Sequence, residues 1–332
     1  MAMQPFKMMV GDMVNEKQKG LAYSIQSFLC NAGSLVGFLF PFIFTWIGIS
    51  NIAPQGVVPD SVIYSFYIGA AILILCVIYT TVKVKEMPPA EYAEYHGITE
   101  EEEKEKINMV KLLVKAPKAF WTVGLVQFFC WFAFMFMWTY TNGSVAANVF
   151  DAPTVETVVN GISKIMLDTK SIQYQNAADW VGVLFAVQAI GSVLWAVCIP
   201  MFKNRKQIYS LSLILGGIGF ISTYFVHNQY ILFISFLLIG CAWAAMLALP
   251  FTILTNALSG GHMGTYLGLF NGTICIPQIV AAALGGSILA LFTPKGMLPP
   301  EINMLVMAGV MLIIGAVCVY LIKETKGEQA KA

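Results

Sequence analysis

The sequence predicts an all-α, polytopic membrane protein, and three observations predict it: an apolar excess, charge-free runs of bilayer length, and basic residues gathered into alternate loops. The 332 residues are 58% hydrophobic and 11% charged, with a mean hydropathy of +0.73. That is more apolar surface than a single soluble core buries. Each spanning helix needs about 20 consecutive, mostly apolar residues. No Asp, Glu, Lys or Arg occurs in Gly20 to Pro59, Ser61 to Val82, Ala119 to Phe150, Trp180 to Phe202 or Ile302 to Ile322. The longest such run, Gln207 to Pro294, is divided into three by His227-Asn228-Gln229 and Ser259-Gly260-Gly261-His262.

Eight spans result, at roughly 20–49, 61–82, 119–142, 180–202, 208–226, 230–256, 264–292 and 302–322. Alternate loops between them hold Lys7, Lys17 and Lys19, then Lys83, Lys85, Lys104, Lys106, Lys111, Lys115 and Lys118, then Lys203, Arg205 and Lys206, and last Lys323, Lys326 and Lys331. The opposite loops carry only Lys164, Lys170 and Lys295, a split of 16 against 3. By the positive-inside rule both termini are expected on the cytoplasmic side of an inner or plasma membrane. No cleavable signal peptide is visible at the charged N-terminus.

The stretch from Lys83 to Lys118 reads as a cytoplasmic linker. Thr99-Glu100-Glu101-Glu102 has the form of a capping box, and Glu100 with Lys104 and Glu102 with Lys106 stand at i,i+4, so a short surface helix is expected. In the longest external loop, Ser144 to Ala178, the expectation is a small amphipathic helix over Thr154 to Leu167. Two spans precede the linker and six follow it.

Pro5-Phe6-Lys7-Met8-Met9-Val10-Gly11-Asp12, followed by Gln18-Lys19-Gly20-Leu21-Ala22 and Ser27-Phe28, resembles the segment joining helices four and five of the glycoside-pentoside-hexuronide:cation symporters and related sucrose-type transporters of the major facilitator superfamily. Gly264-Thr265-Tyr266-Leu267-Gly268-Leu269-Phe270-Asn271 with Ile276-Pro277-Gln278 resembles helix eleven of the same group. The resemblance implies a twelve-span fold of which this chain holds eight, with helices one to three absent. It divides the chain into the rest of an N-terminal bundle (1–85), a central linker (86–116), a six-helix C-terminal bundle (117–325) and a tail (326–332). It implies transport of a glycoside or disaccharide coupled to a cation, the proton. The group's acidic residue on helix four would fall just before Met1. Where plant sucrose carriers have an acidic pair, span three has Trp138-Thr139-Tyr140.

With no charge in the middle of any span, binding has to rest on neutral polar and aromatic groups. Gln127, Trp131, Phe134, Trp138 and Thr141 recur on one face of span three, with Asn142 beside them. Aromatic rings stack on the C–H face of a pyranose and an amide serves hydroxyls as donor and acceptor. The competing reading packs Trp131 and Phe134 against neighbours and places Trp138 at the interface. Asn271 and Gln278, seven apart on a face with Gly268 and Cys275, are expected to point into the bundle, as substrate contacts or as interhelical bridges. Ser27, Asn31 and Ser34 read as packing, and Gln188 and Trp195 as weaker candidates. Gly268 with Gly272, and Gly216-Gly217-x-Gly219, permit close helix approach. Pro41, Pro200, Pro250 and Pro277 can loosen their helices. Lys7 with Asp12 is a candidate gate ion pair.

The seven cysteines all lie in apolar runs without metal spacing, and the three histidines fall in loops. No Walker A motif or hydrolase constellation occurs, so an ATP-driven pump and a membrane enzyme are disfavoured, and no cofactor or metal is implied. The expected partners are a small-molecule sugar, a coupling proton and the lipid bilayer. The alternative is a truncated, non-transporting or regulatory membrane protein.

Overall fold

The computed structural model describes residues 18–49, 60–85, 109–159, 162–257, 263–294 and 296–322, with isolated positions 9, 10, 13, 14, 58, 88 and 91. Its elements are α1 (Lys19–Trp46), α2 (Asp60–Lys83), α3 (Met109–Lys115), α4 (Lys118–Asn148), β1 (Thr154–Val159), β2 (Ile162–Leu167), α5 (Ile172–Cys198), α6 (Arg205–Ser222), α7 (Leu232–Ala257), α8 (Met263–Phe270), α9 (Gly272–Phe292) and α10 (Ile302–Cys318). Each expected span is helical, the seventh being the pair α8 and α9. Six described helices are long and apolar enough to cross a bilayer; α1 and α6 are the two expected spans outside that set. The linker helix expected after Thr99, and the Lys7–Asp12 pair, lie outside the described residues.

Helix ends follow local chemistry more than the limits of the apolar runs. The helix α5 begins well before the charge-free stretch at Trp180, because the Ser171 side chain caps it by accepting from Tyr174 N at 3.3 Å. Asn204 starts α6, its side-chain oxygen accepting from Lys206 N at 3.1 Å and Gln207 N at 3.2 Å. The segment Thr154 to Leu167 corrects the sequence expectation: it is an antiparallel hairpin with Val159 opposite Ile162 and Thr154 opposite Leu167. Asn160-Gly161 is a two-residue hairpin signal, and the flanking Thr, Val and Ile side chains favour extended backbone.

The helix α7 stands at the centre, packed on α1, α4, α5 and α6, while α10 packs on α4 and α6 and α9 on α4. Helix α1 packs against α5 and α7. Between lipid-facing helices there is no hydrophobic drive to associate, so contact depends on close van der Waals approach. Glycines supply it. A methyl at Gly191 of α5 would lie 2.9 Å from Leu237 Cα, and one at Gly240 of α7 would lie 2.7 Å from Ser192 N. A methyl at Gly309 of α10 would lie 2.7 Å from the Gly217 carbonyl of α6, so the glycine-rich run on that helix is a packing surface. The Gly268 and Gly272 pair is not: no other helix comes within 4 Å of a methyl at either.

Candidate functional site on helices α4 and α7

The stripe on α4 turns towards α7. Phe134 is fully buried, Gln127 and Trp131 are buried, and Trp138 is 43% exposed. Across from them Trp243 of α7 places its ring 5.7 Å from Trp131, 5.7 Å from Trp138 and 4.8 Å from Phe134. Trp131 and Trp138 are also 6.4 Å apart. Three indoles and one phenyl ring thus share a single cluster between two helices.

Gln127 sits one turn from that cluster and has two amide ends with different fates. Its Nε2 donates to the Met246 carbonyl of α7 at 3.0 Å and to the Tyr209 hydroxyl of α6 at 3.4 Å. Met246 is four residues before Pro250, which lies inside α7 and has no N–H with which to close the helical bond to that carbonyl. Gln127 therefore takes over an acceptor that the proline sets free, as apolar surroundings require. Its Oε1 is buried without a hydrogen-bond partner among the described residues, and so is Trp131 Nε1. One acceptor and one donor, a helical turn apart, remain open beside the indole cluster. Asn31 on α1 is fully buried with its Oδ1 likewise unpaired, its Nδ2 donating to the Ser27 carbonyl at 2.7 Å. Ser27 in turn reaches the Ala244 carbonyl of α7 at 3.5 Å.

The remaining sequence candidates stand elsewhere. Thr141 donates back to the Met137 carbonyl of its own helix at 2.6 Å. Asn142 lies at the far end of α4, donating to the Tyr174 hydroxyl of α5 at 3.0 Å. Asn271 occupies the break between α8 and α9, with Nδ2 directed at Cys275 Sγ at 3.7 Å. That break lies one turn and a half before Pro277, whose ring cannot tolerate the straight backbone of the preceding turn. Gln278 is half-buried, while Gly268 and Cys275 are exposed, so the shared face expected to point inward is open at those two residues. Helix α9 instead reaches α4 through Thr273, against Gly124, and through Gly285, against Tyr140.

The family model for the Major Facilitator Superfamily matches residues 1–166 and again 145–332. The chain belongs to the major facilitator superfamily. Among solved structures it is similar to the crystal structure of the major facilitator superfamily transporter FucP in the outward conformation. That match has a TM-score of 0.62 at 15% identity, covering 96% of this chain and 72% of that one. No curated protein matches the sequence. The architecture is that of a membrane transporter working by alternating access, which leaves the cargo to be read from the side chains.

Sequence reasoning missed Trp243 and Glu301. A lone tryptophan amid the alanines of span six was a usable signal for the first. Glu301 follows Pro299-Pro300 and looks like an ordinary loop acid until its position against α4 is known.

Proposed function

We propose that this major facilitator protein carries a glycoside or disaccharide, recognised between α4 and α7 by the Trp131, Trp138 and Trp243 rings and the open polar atoms of Gln127 and Trp131. The observation that supports this most is that Gln127 Oε1 and Trp131 Nε1, a helical turn apart, are both buried without a hydrogen-bond partner among the described residues, beside indoles that meet edge to face. Buried polar groups are otherwise almost always satisfied, and a sugar hydroxyl answers both an acceptor and a donor. Coupling to a proton and a cytoplasmic location of both termini belong to the same proposal, the first from the resemblance to cation symporters and the second from the 16-to-3 split of basic residues.

The test is sugar binding to the purified chain in lipid nanodiscs, followed by tryptophan fluorescence and calorimetry with sucrose and maltose. Trp131→Phe, which removes the indole donor and keeps a ring, should weaken binding roughly 10-fold, about 1.4 kcal/mol. Cys130→Ala, about 100° round the helix and carrying no ring, should leave it unchanged. Equal affinity in both variants, or no saturable binding by the parent chain, removes the sugar reading. A reporter fused after Lys326 should be cytoplasmic and one within the 151–170 loop external; both on one side would refute the orientation.

A further inference from the structure

At the lysine-poor end of the bundle, α4 ends and α10 begins. Glu301 is the residue before α10, the position at which an acidic side chain ordinarily folds back onto its own helix's free N–H groups. It makes no such bond. Its carboxylate lies instead over the backbone of α4 at Gly143, where an added methyl would run into the carboxyl group, with Oε1 only 2.7 Å away. Glycine at 143 is the notch that admits it. The same seam between α4 and α10 contains a water-sized cavity of about 10 Å³ lined by Ser144, Asn148, Thr223, Ile302 and Leu305, among others.

We propose that the Glu301 carboxyl, folded over Gly143, is a proton-binding site of this chain, which when neutral seats the start of α10 on the end of α4 and when ionised loosens that seam. The carboxylate takes one proton from hydronium in the aqueous phase, which becomes water, and no other bond changes. Partial burial favours it, since a charge in this seam has no cation beside it among the described residues. The same burial pushes the carboxyl from 4.5 up to about 7.

The neighbouring ionisable groups fit a site governed by burial. Tyr140 of α4 stands three residues before Gly143, its hydroxyl against Gly285 of α9. Along α6, Arg205, Lys206 and Tyr209 lie in the first turns, at the opposite end from Glu301, and Tyr224 beyond its other end lines an apolar groove with Asn303. Helix α9 brings only Cys275, near its start, and α10 only Cys318, at its far end. Lys295, in the loop before α10, lies outside the described residues. The inference rests on the placement of one carboxylate and stands apart from the sugar reading: loss of either leaves the other intact.

A group whose folded value lies above its unfolded one gives stability that is complete below about 4.5 and is lost as pH rises through about 7. Thermal unfolding of the full chain in nanodiscs from pH 5 to pH 8.5 should therefore show a midpoint that falls with an inflection near neutrality. Glu301→Gln, which mimics the neutral acid, should hold the midpoint level across that range, and Tyr140→Phe should keep the inflection. Gly143→Ala, which expels the carboxylate into water, should abolish the inflection, because a carboxyl with the same value folded and unfolded contributes no pH dependence. Infrared spectroscopy supplies a second readout that needs only folded protein: a protonated-carboxyl band at pH 6 that Glu301→Gln removes. A pH profile unchanged by Glu301→Gln, or the absence of that band, overturns the proposal. Either result is what a standing ion pair with Lys295 would produce.

Discussion

Helices α7 and α2 have the same mean hydropathy, 2.4, yet 72% of the most apolar window of α7 is buried against protein and only 6% of that of α2. Hydropathy places both in the bilayer and says nothing about which will be surrounded by other helices. Their small residues are also arranged differently. In α7, Gly240, Ala244 and Ala248 recur every fourth residue, with Cys241 and Ala245 alongside, so one face is cut back along its length. In α2, Gly69, Ala70 and Ala71 are consecutive and point around the helix, while Ile72, Leu73, Ile74 and Leu75 stand exposed. Helix α2 packs on α1 alone among the helices with extensive contacts.

The sharpest way to break this contrast is to fill the notch at the centre. Gly240→Leu should abolish folding or cost about 3 kcal/mol or more, since overpacking against a backbone cannot be relieved by a side-chain rotation. Detergent-solubilised yield and unfolding midpoint would measure it, and a parent-like midpoint would show that the α5–α7 crossing is not held by glycine contact.

A smaller effect is expected at the Pro250 bend. Gln127→Leu strands the Met246 carbonyl, a cost of about 1–3 kcal/mol. In a Pro250→Ala background the restored N–H can close the helix on that carbonyl, and the penalty of Gln127→Leu should fall by about 1 kcal/mol. Additive effects in that double-mutant cycle would mean that Gln127 does not serve the proline-freed acceptor. Smallest of all, Gly69→Ala on α2 and Gly268→Ala on α8 meet no neighbour and should cost no stability, the helix-propensity expectation being a gain of about 0.5–1 kcal/mol. A large loss at Gly69 would reveal a partner for α2 and end the contrast with α7.

Much of the fold was legible because lipid imposes its demands segment by segment: a charge-free run of sufficient length has to be a helix, whatever surrounds it. The Thr154 to Leu167 hairpin was misread as a helix because it lies between the apolar runs, where that demand lapses and the extended preference of its Thr, Val and Ile residues prevails. At the candidate site, the 127, 131, 134 and 138 periodicity of α4 was visible in the sequence; the rings at 131, 134 and 138 do meet in one cluster, with Gln127 a turn away. The periodicity on the seventh span, with Asn271 and Gln278, had the same form but faces a partly open surface, since period alone does not say which neighbour is present.

By itself, then, the sequence determined which apolar runs are helical and which faces are polar or small, because these follow from local spacing and the bilayer's intolerance of bare backbone. Only the tertiary structure decided that Trp243 completes the indole cluster, that Gln127 serves a carbonyl released by Pro250 on another helix, and that Glu301 is held over Gly143. Each of these joins residues between about 100 and 160 positions apart, and such pairings arise from which grooves fit which ridges, a property no single stretch of chain contains.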